Sequence, residues 1–116
     1  MFIWNGEKFA FNIMDADVMK KFDDVSNEMW KELVEYEEKN VTDGIVGPEE
    51  IAHESEVLSR FFDDLFGNGT SEKMFASKHD LSERLKALKK LYKVRSTQMS
   101  SHNKTVNDLT EMLGVK

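Results

Sequence analysis

Aromatic and polar residues alternate over the first dozen positions, and from about residue 16 onward apolar residues recur at three- and four-residue steps. The first pattern predicts a strand with one apolar face, the second a series of amphipathic helices. Residues 1–4 and 7–13 flank Asn5 and Gly6, a pair that tolerates the positive φ both central residues of a type I′ turn require. A two-residue loop pairs Trp4 with Glu7 and Phe2 with Phe9, which puts Phe2, Trp4, Phe9, Phe11 and Ile13 on one face and Ile3, Lys8, Ala10 and Asn12 on the other. A lone hairpin is marginal in water, so the aromatic face is expected to lie on helices or on another chain.

Asp15 offers an N-cap and Asp17 suits the positive end of a helix dipole, so a first helix is predicted from about residue 16. Val18, Phe22, Val25, Met29, Leu33 and Tyr36 form its stripe to about Asn40, with Met19, Trp30 and Val34 widening it. Residues 40–47, with Gly44 inside, read as a linker, and Pro48 as the first residue of a second helix ending at Phe66. Ile51, Leu58, Phe61, Phe62, Leu65 and Phe66 make its stripe. Phe61 and Phe62 diverge by about 100° around the axis, so one is predicted to pack on the first helix and the other on the hairpin or a second subunit.

Gly67, Asn68 and Gly69 permit a helix stop in the left-handed conformation and an immediate restart, with Gly69 or Thr70 capping a short helix over residues 70–76. Asp80 with Glu83 signals one more N-terminus. From there Leu81, Leu85, Leu88, Tyr92, Arg95, Met99, His102, Val106, Leu109 and Leu113 follow heptad steps through the last third of the chain. Unbroken, this helix would be roughly 50 Å long at ~1.5 Å per residue. Arg95 and His102 on the seam, and serines and threonines around it, make a break or frayed end near residues 100–104 the alternative. The expected fold is mainly α: an antiparallel helical bundle with an N-terminal β-hairpin and a long or broken C-terminal helix. Residues 1–99 form the domain and 100–116 a helical extension or flexible tail.

A chain of 116 residues suits one domain with a modest core. It has no cysteine, which removes disulfides and thiolate metal sites. It also has no apolar run of membrane-spanning length, and its first residues lack a signal-peptide layout, so a soluble cytoplasmic protein is expected. The net charge of −6 is unevenly spread. Residues 1–76 hold 7 basic and 18 acidic side chains, a net −11, residues 77–104 carry +6, and residues 105–116 carry −1. An acidic front and a basic third quarter suggest an intramolecular clasp or self-association. Arg84, Lys86, Lys89, Lys90, Lys93 and Arg95 could follow a nucleic-acid backbone, yet only Tyr92 among them is aromatic and no helix-turn-helix spacing is present. A basic face meeting an acidic protein face is favoured, and nucleic acid is not.

Candidate chemistry is sparse. His53 beside Glu49, Glu50 and Glu54 lacks a second His or Cys at ligand spacing and reads as a solvated helix face. Asp63 and Asp64 diverge on a helix and have no identifiable third partner for acid–base work. The glycines at 67 and 69 follow a helix instead of a strand and lack the Lys-Ser/Thr of a phosphate loop. No catalytic, metal or cofactor residue emerges, and a non-enzymatic protein acting by binding is expected. Its protein-binding residues are predicted to be Phe2, Trp4, Phe9, Phe11, Phe61, Phe62, Phe66 and Phe75, with Asn5, Gly6, Gly67, Gly69 and Thr70 structural.

The corner over residues 61–75, FFDDLFGNGTSEKMF, together with Ile3, Trp4, Asn5, Gly6 and Phe9 and the Asp15, Ala16, Asp17 helix start, resembles small proteins encoded in the tail-gene regions of phages and prophages of Gram-positive bacteria. The resemblance covers about the first two-thirds of the chain. That group is similar in size and helical content to the tail assembly chaperones of long-tailed phages. It implies a tail-morphogenesis role in the host cytoplasm, covering apolar segments of the tape-measure protein and recruiting tail-tube subunits. Phe61, Phe62, Phe66, Gly67, Gly69, Thr70 and Phe75 carry the motif and are implied to be architectural. Ser77, Lys78 and His79, where the relatives are expected to be glycine-rich, and the basic, extended C-terminus depart from the pattern. The alternatives are a structural tail or connector subunit of the virion and a nucleic-acid-binding regulator using residues 80–95.

Overall fold

The computed structural model describes residues 1–40 and 47–114, which run as β1 (Phe2–Trp4), β2 (Glu7–Phe9), α1 (Ala16–Asn40), α2 (Pro48–Phe66), α3 (Thr70–Met74) and α4 (Leu81–Met112). The fold is mainly α with an N-terminal hairpin, as the patterning predicts. Most of the linker expected over 40–47, Gly44 included, lies outside the described residues.

Local rules place most boundaries. The hairpin has the predicted register, Phe2 opposite Phe9 and Trp4 opposite Glu7, with Asn5 at φ 50° and Gly6 at φ 80° in the turn. Asn5 Nδ2 also donates to the carbonyl of Met74 at 3.0 Å, tying the hairpin tip to α3. The second strand stops at Phe9, short of the expected Ile13, because the next backbone groups have other partners. The Met1 ammonium and Gln98 Nε2 donate to Phe11 O (3.0 and 2.7 Å), and Ile13 N–H donates to Gln98 Oε1 (2.8 Å). Asp15 Oδ1 caps α1 by accepting from Asp17 N–H and Val18 N–H. Asp80 Oδ1 caps α4 by accepting from Glu83 N–H at 3.1 Å.

The corner departs from expectation in one respect. Gly67 is not left-handed: at φ 117° and ψ 156° it occupies a region essentially open to glycine alone. Gly69, at φ 87° and ψ −4°, is the left-handed residue and caps α3. Thr70 Oγ1 donates back to Gly67 O at 2.6 Å, closing the turn.

All eight phenylalanines of the sequence join one network of ring contacts. Phe61 meets Phe22 of α1 edge-on at 6.3 Å, while Phe62 stacks on Phe2 of β1 at 6.2 Å and meets Phe75 at 5.6 Å. The two adjacent rings thus divide between α1 and the hairpin as their angular separation requires. The structure places the aromatics expected at a binding surface in and around the core. Phe2, Phe11, Phe61, Phe62 and Phe75 are buried, and Trp4, Phe9 and Phe66 pack partly buried against the same cluster. The hairpin folds onto the C-terminal half of α2, so the apolar faces that each needed a cover cover one another. Each ring pair adds about 0.5–1.5 kcal/mol beyond area burial.

Packing places α2 at the centre, with α1 against it and α4 resting on both α2 and β1. The buried residues of α4 are Arg84, Ala87, Leu88 and Leu91. This line is rotated back by about one residue from the predicted seam, leaving Leu85 exposed and Tyr92 half-buried, because the helix must face α2 and β1 at once. α4 continues without the break considered near residues 100–104, and residues 100–109 are all exposed. The molecule therefore measures 59 × 31 × 21 Å, with a radius of gyration of 17.5 Å. A compact chain of this length would have about 13 Å. Among the described residues no helix is long and apolar enough to cross a membrane.

Candidate functional site

The rotation of α4 opens a groove beside α1. Trp30, Leu85, Leu88, Lys89, Tyr92, Lys93, Ser96 and Thr97 line a depression of about 620 Å³. Trp30 lies at the edge of the α1 stripe, the side turned away from α2, and stays 45% exposed; Leu85 is 46% exposed. The indole Nε1–H of Trp30 donates to Tyr92 Oη at 3.1 Å, bridging the groove floor. Tyr92 is fixed in turn by an edge-on contact with Phe22 at 5.5 Å. The result is an apolar trough on a rigid base with two ammonium groups along one rim. A tryptophan held this way presents a large apolar area at little entropic cost, the usual anchor of a protein interface.

Among the described residues, Lys86, Lys89, Lys90 and Lys93 of α4 form no ion pair. Among the described residues, the ion pairs are Lys20 with Asp24, Arg60 with Glu32, His79 with Glu56, and Lys104 with Asp108. None joins Lys86, Lys89, Lys90 or Lys93 to a carboxylate of α1, so the internal clasp suggested by the charge distribution is absent among these residues.

A second hollow, of about 610 Å³, sits under the corner and is lined by Glu56, Ser59, Asp63, Ser71 and Arg84 among others. Its polar groups are engaged in holding the fold. Asp63 accepts from Ser71 N–H at 2.8 Å and Ser71 Oγ–H at 3.1 Å, tying the end of α2 to the start of α3. Arg84, expected from the sequence to belong to a basic face meeting an acidic protein face, is buried: Nε donates to Ser59 Oγ and Nη1 to the carbonyls of Ser77 and Asp80. Its guanidinium carbon lies 4.5 Å from the Phe75 ring centroid. Burial lowers its pKa, opposed by the charges of Glu83 and Asp80. Arg84 is a clamp on the corner.

The remaining candidates resolve similarly. His53 stacks on Tyr36 with ring centroids 3.8 Å apart, and no group of residues able to hold a metal ion occurs among the described residues. Beside it, burial raises the pKa of Glu54, and the Glu37 carboxylate raises it further. Three contributors were not singled out by the sequence. In the sequence Trp30 only widens a stripe, Arg84 is one of a run of basic residues, and Gln98 carries no mark. Gln98 could have been suspected only as a polar residue on the face α4 turns inward.

The chain belongs to a family of unknown function (DUF6673), whose model matches residues 5–112. That span begins in the hairpin turn, after β1, and ends with the last residue of α4, so β2, the corner and the projecting helix are within the matched region. No curated protein and no solved structure matches the chain.

Proposed function

We propose that this chain is a non-catalytic assembly factor that binds a helical segment of another protein, and that it serves phage tail morphogenesis in the manner of a tail assembly chaperone. The observation that carries the binding role is the groove built on Trp30, Leu85 and Tyr92. Its apolar floor and helix-lined walls suit an amphipathic helix laid lengthwise. The phage assignment rests on the resemblance of the corner and the hairpin, with the tape-measure protein as the helical partner and the tail tube as the destination. It would act in the host cytoplasm and leave the finished tail. The aromatic motif contributes as scaffold: with Phe61, Phe62 and Phe75 inside, recognition passes to the groove.

Titration with synthetic peptides tiling the helical segments of the tape-measure protein encoded beside this chain tests the reading. Saturable binding is expected for at least one segment, and Trp30→Ala should weaken it at least about tenfold, as loss of a central aromatic anchor does. Binding that Trp30→Ala leaves unchanged removes the groove from the account. Purified phage particles should lack the chain, whereas stoichiometric amounts in them would mark a virion subunit.

A nucleic-acid role has one favourable observation, the exposed row Lys86, Lys89, Lys90 and Lys93. It is opposed by the net charge of −6. No retardation of duplex DNA is expected at micromolar protein and about 150 mM salt, where surface charge is screened beyond ~8 Å. A shift that weakens steeply with added salt would instead identify a DNA-binding regulator.

A further inference from the structure

We infer that the helix received by the groove is an acidic one, its apolar stripe flanked on one side by carboxylates a turn apart. The inference rests on the groove reading above and adds the chemistry of the partner. Trp30, Leu85 and Leu88 make the floor apolar, and the charged groups of the lining are all of one sign: Lys89 and Lys93 are present, and among the described residues no Asp or Glu is. The hollow under the corner differs, with Glu56, Asp63 and Glu72 in its wall beside Arg60, Lys78 and Arg84, so its charges are mixed.

The charge comes from α4. Its residues 84–107 include no Asp or Glu, and Lys86, Lys89, Lys90 and Lys93 stand exposed on it. These four lie three or four positions apart, the spacing at which like charges on a helix repel and weaken it. The chain uses the same spacing for attraction elsewhere, in Lys20 with Asp24 and Lys104 with Asp108. Carboxylates brought in by an occupant relieve the repulsion and fix its register. Tyr92 adds a neutral donor: its Oη accepts from Trp30 Nε1–H at 3.1 Å, and its own O–H has no acceptor among the described residues. From Leu85 to Thr97 the groove runs about 18 Å along α4, at ~1.5 Å per residue, room for three turns of an occupant. Lys89 and Lys93 are ~6 Å apart on the same scale, so carboxylates at i and i+4 beside the stripe fall opposite both. α1 gives the lining Trp30 and no charge, so only the flank turned toward α4 has to be acidic.

Three synthetic peptides of about 14 residues, long enough for the three turns, test the chemistry. They share one stripe of Leu and Phe and carry Glu, Gln or Lys at two positions, i and i+4, beside it. Each is titrated into the full chain and followed by the indole N–H resonance of Trp30, with that of Trp4 on the hairpin as internal reference. The Glu peptide is expected to bind about three- to tenfold more tightly than the Gln peptide, as two exposed ion pairs allow, and the Lys peptide most weakly. The preference should fade in about 1 M salt, where charges are screened beyond ~3 Å. In the double variant Lys89→Glu, Lys93→Glu, which alters two exposed positions and leaves the core intact, the order should reverse. Equal affinities for the three peptides, with the Trp30 signal moving, would overturn the acidic partner and leave the groove as a helix site. An order unchanged in the double variant would overturn it as well. A Trp30 signal that no peptide moves would remove the groove reading itself, and this inference with it.

Discussion

Phe62→Ala is expected to lower the free energy of unfolding by about 3–5 kcal/mol, the range for truncating a fully buried phenylalanine whose site cannot collapse. The ring is 0% exposed and touches Phe2, Phe61 and Phe75 at 6.2, 5.1 and 5.6 Å between centroids. Those neighbours belong to the hairpin, α2 and the segment after α3, so none can move into the vacated space without moving an element. A domain of this size is stable by about 5–15 kcal/mol, which brings the variant close to unfolding at ambient temperature. The urea midpoint should fall by a large fraction of its wild-type value, while Ile3→Ala, on the exposed side of the same hairpin, should change it little. A midpoint for Phe62→Ala equal to that of wild type would mean the ring cluster is not the core of the fold.

The same ring illustrates what the sequence discloses and what it leaves open. Helix starts at Ala16, Pro48 and Leu81 follow from Asp15, Pro48 and Asp80, and the hairpin register follows from Asn5 and Gly6, because each is settled within four or five residues. The aromatic density of residues 61–75 announces an apolar cluster, but whether another chain or this one covers it depends on how far the hairpin folds back. Nothing local fixes that. The rotation of α4 is a second case. Two heptad lines, one through Leu85 and Tyr92 and one through Arg84 and Leu91, share Leu88. Only contact with α2 and β1 selects the second as the buried face. Trp30 and the groove are consequences of that selection, so the candidate site was invisible where the elements themselves were legible.

That selection also fixes which side of α4 bounds the groove. Lys89, Tyr92 and Lys93 look toward α1 and bound the groove, whereas Val106, Leu109 and Leu113 prolong the buried line beyond the bundle. The groove therefore keeps its shape only while the first turns of α4 hold their orientation. The orientation is fixed by Arg84.

Arg84→Met is expected to cost about 2–4 kcal/mol, although methionine retains most of the apolar stem. The substitution removes the donors to Ser59 Oγ (2.8 Å), Ser77 O (2.9 Å) and Asp80 O (3.0 Å), and hydrogen bonds from a charged group are each worth about 1.5–3 kcal/mol before the side chain's own desolvation is offset. It also removes the cation over Phe75, worth about 0.5–2 kcal/mol. Arg84→Lys should lose nearly as much, because one ammonium cannot reproduce a planar fork serving three acceptors on two elements. Amide hydrogen exchange supplies a local check: protection at Phe75, whose N–H donates to Ser71 O at 3.0 Å, should fall in both variants as the corner loosens. If Arg84→Met instead matches wild type in urea midpoint and in exchange at Phe75, apolar packing alone holds the corner, as can happen when a buried charged group gives way to a hydrophobic one of similar volume. The start of α4 would then be oriented by Leu88 and Leu91 without the clamp.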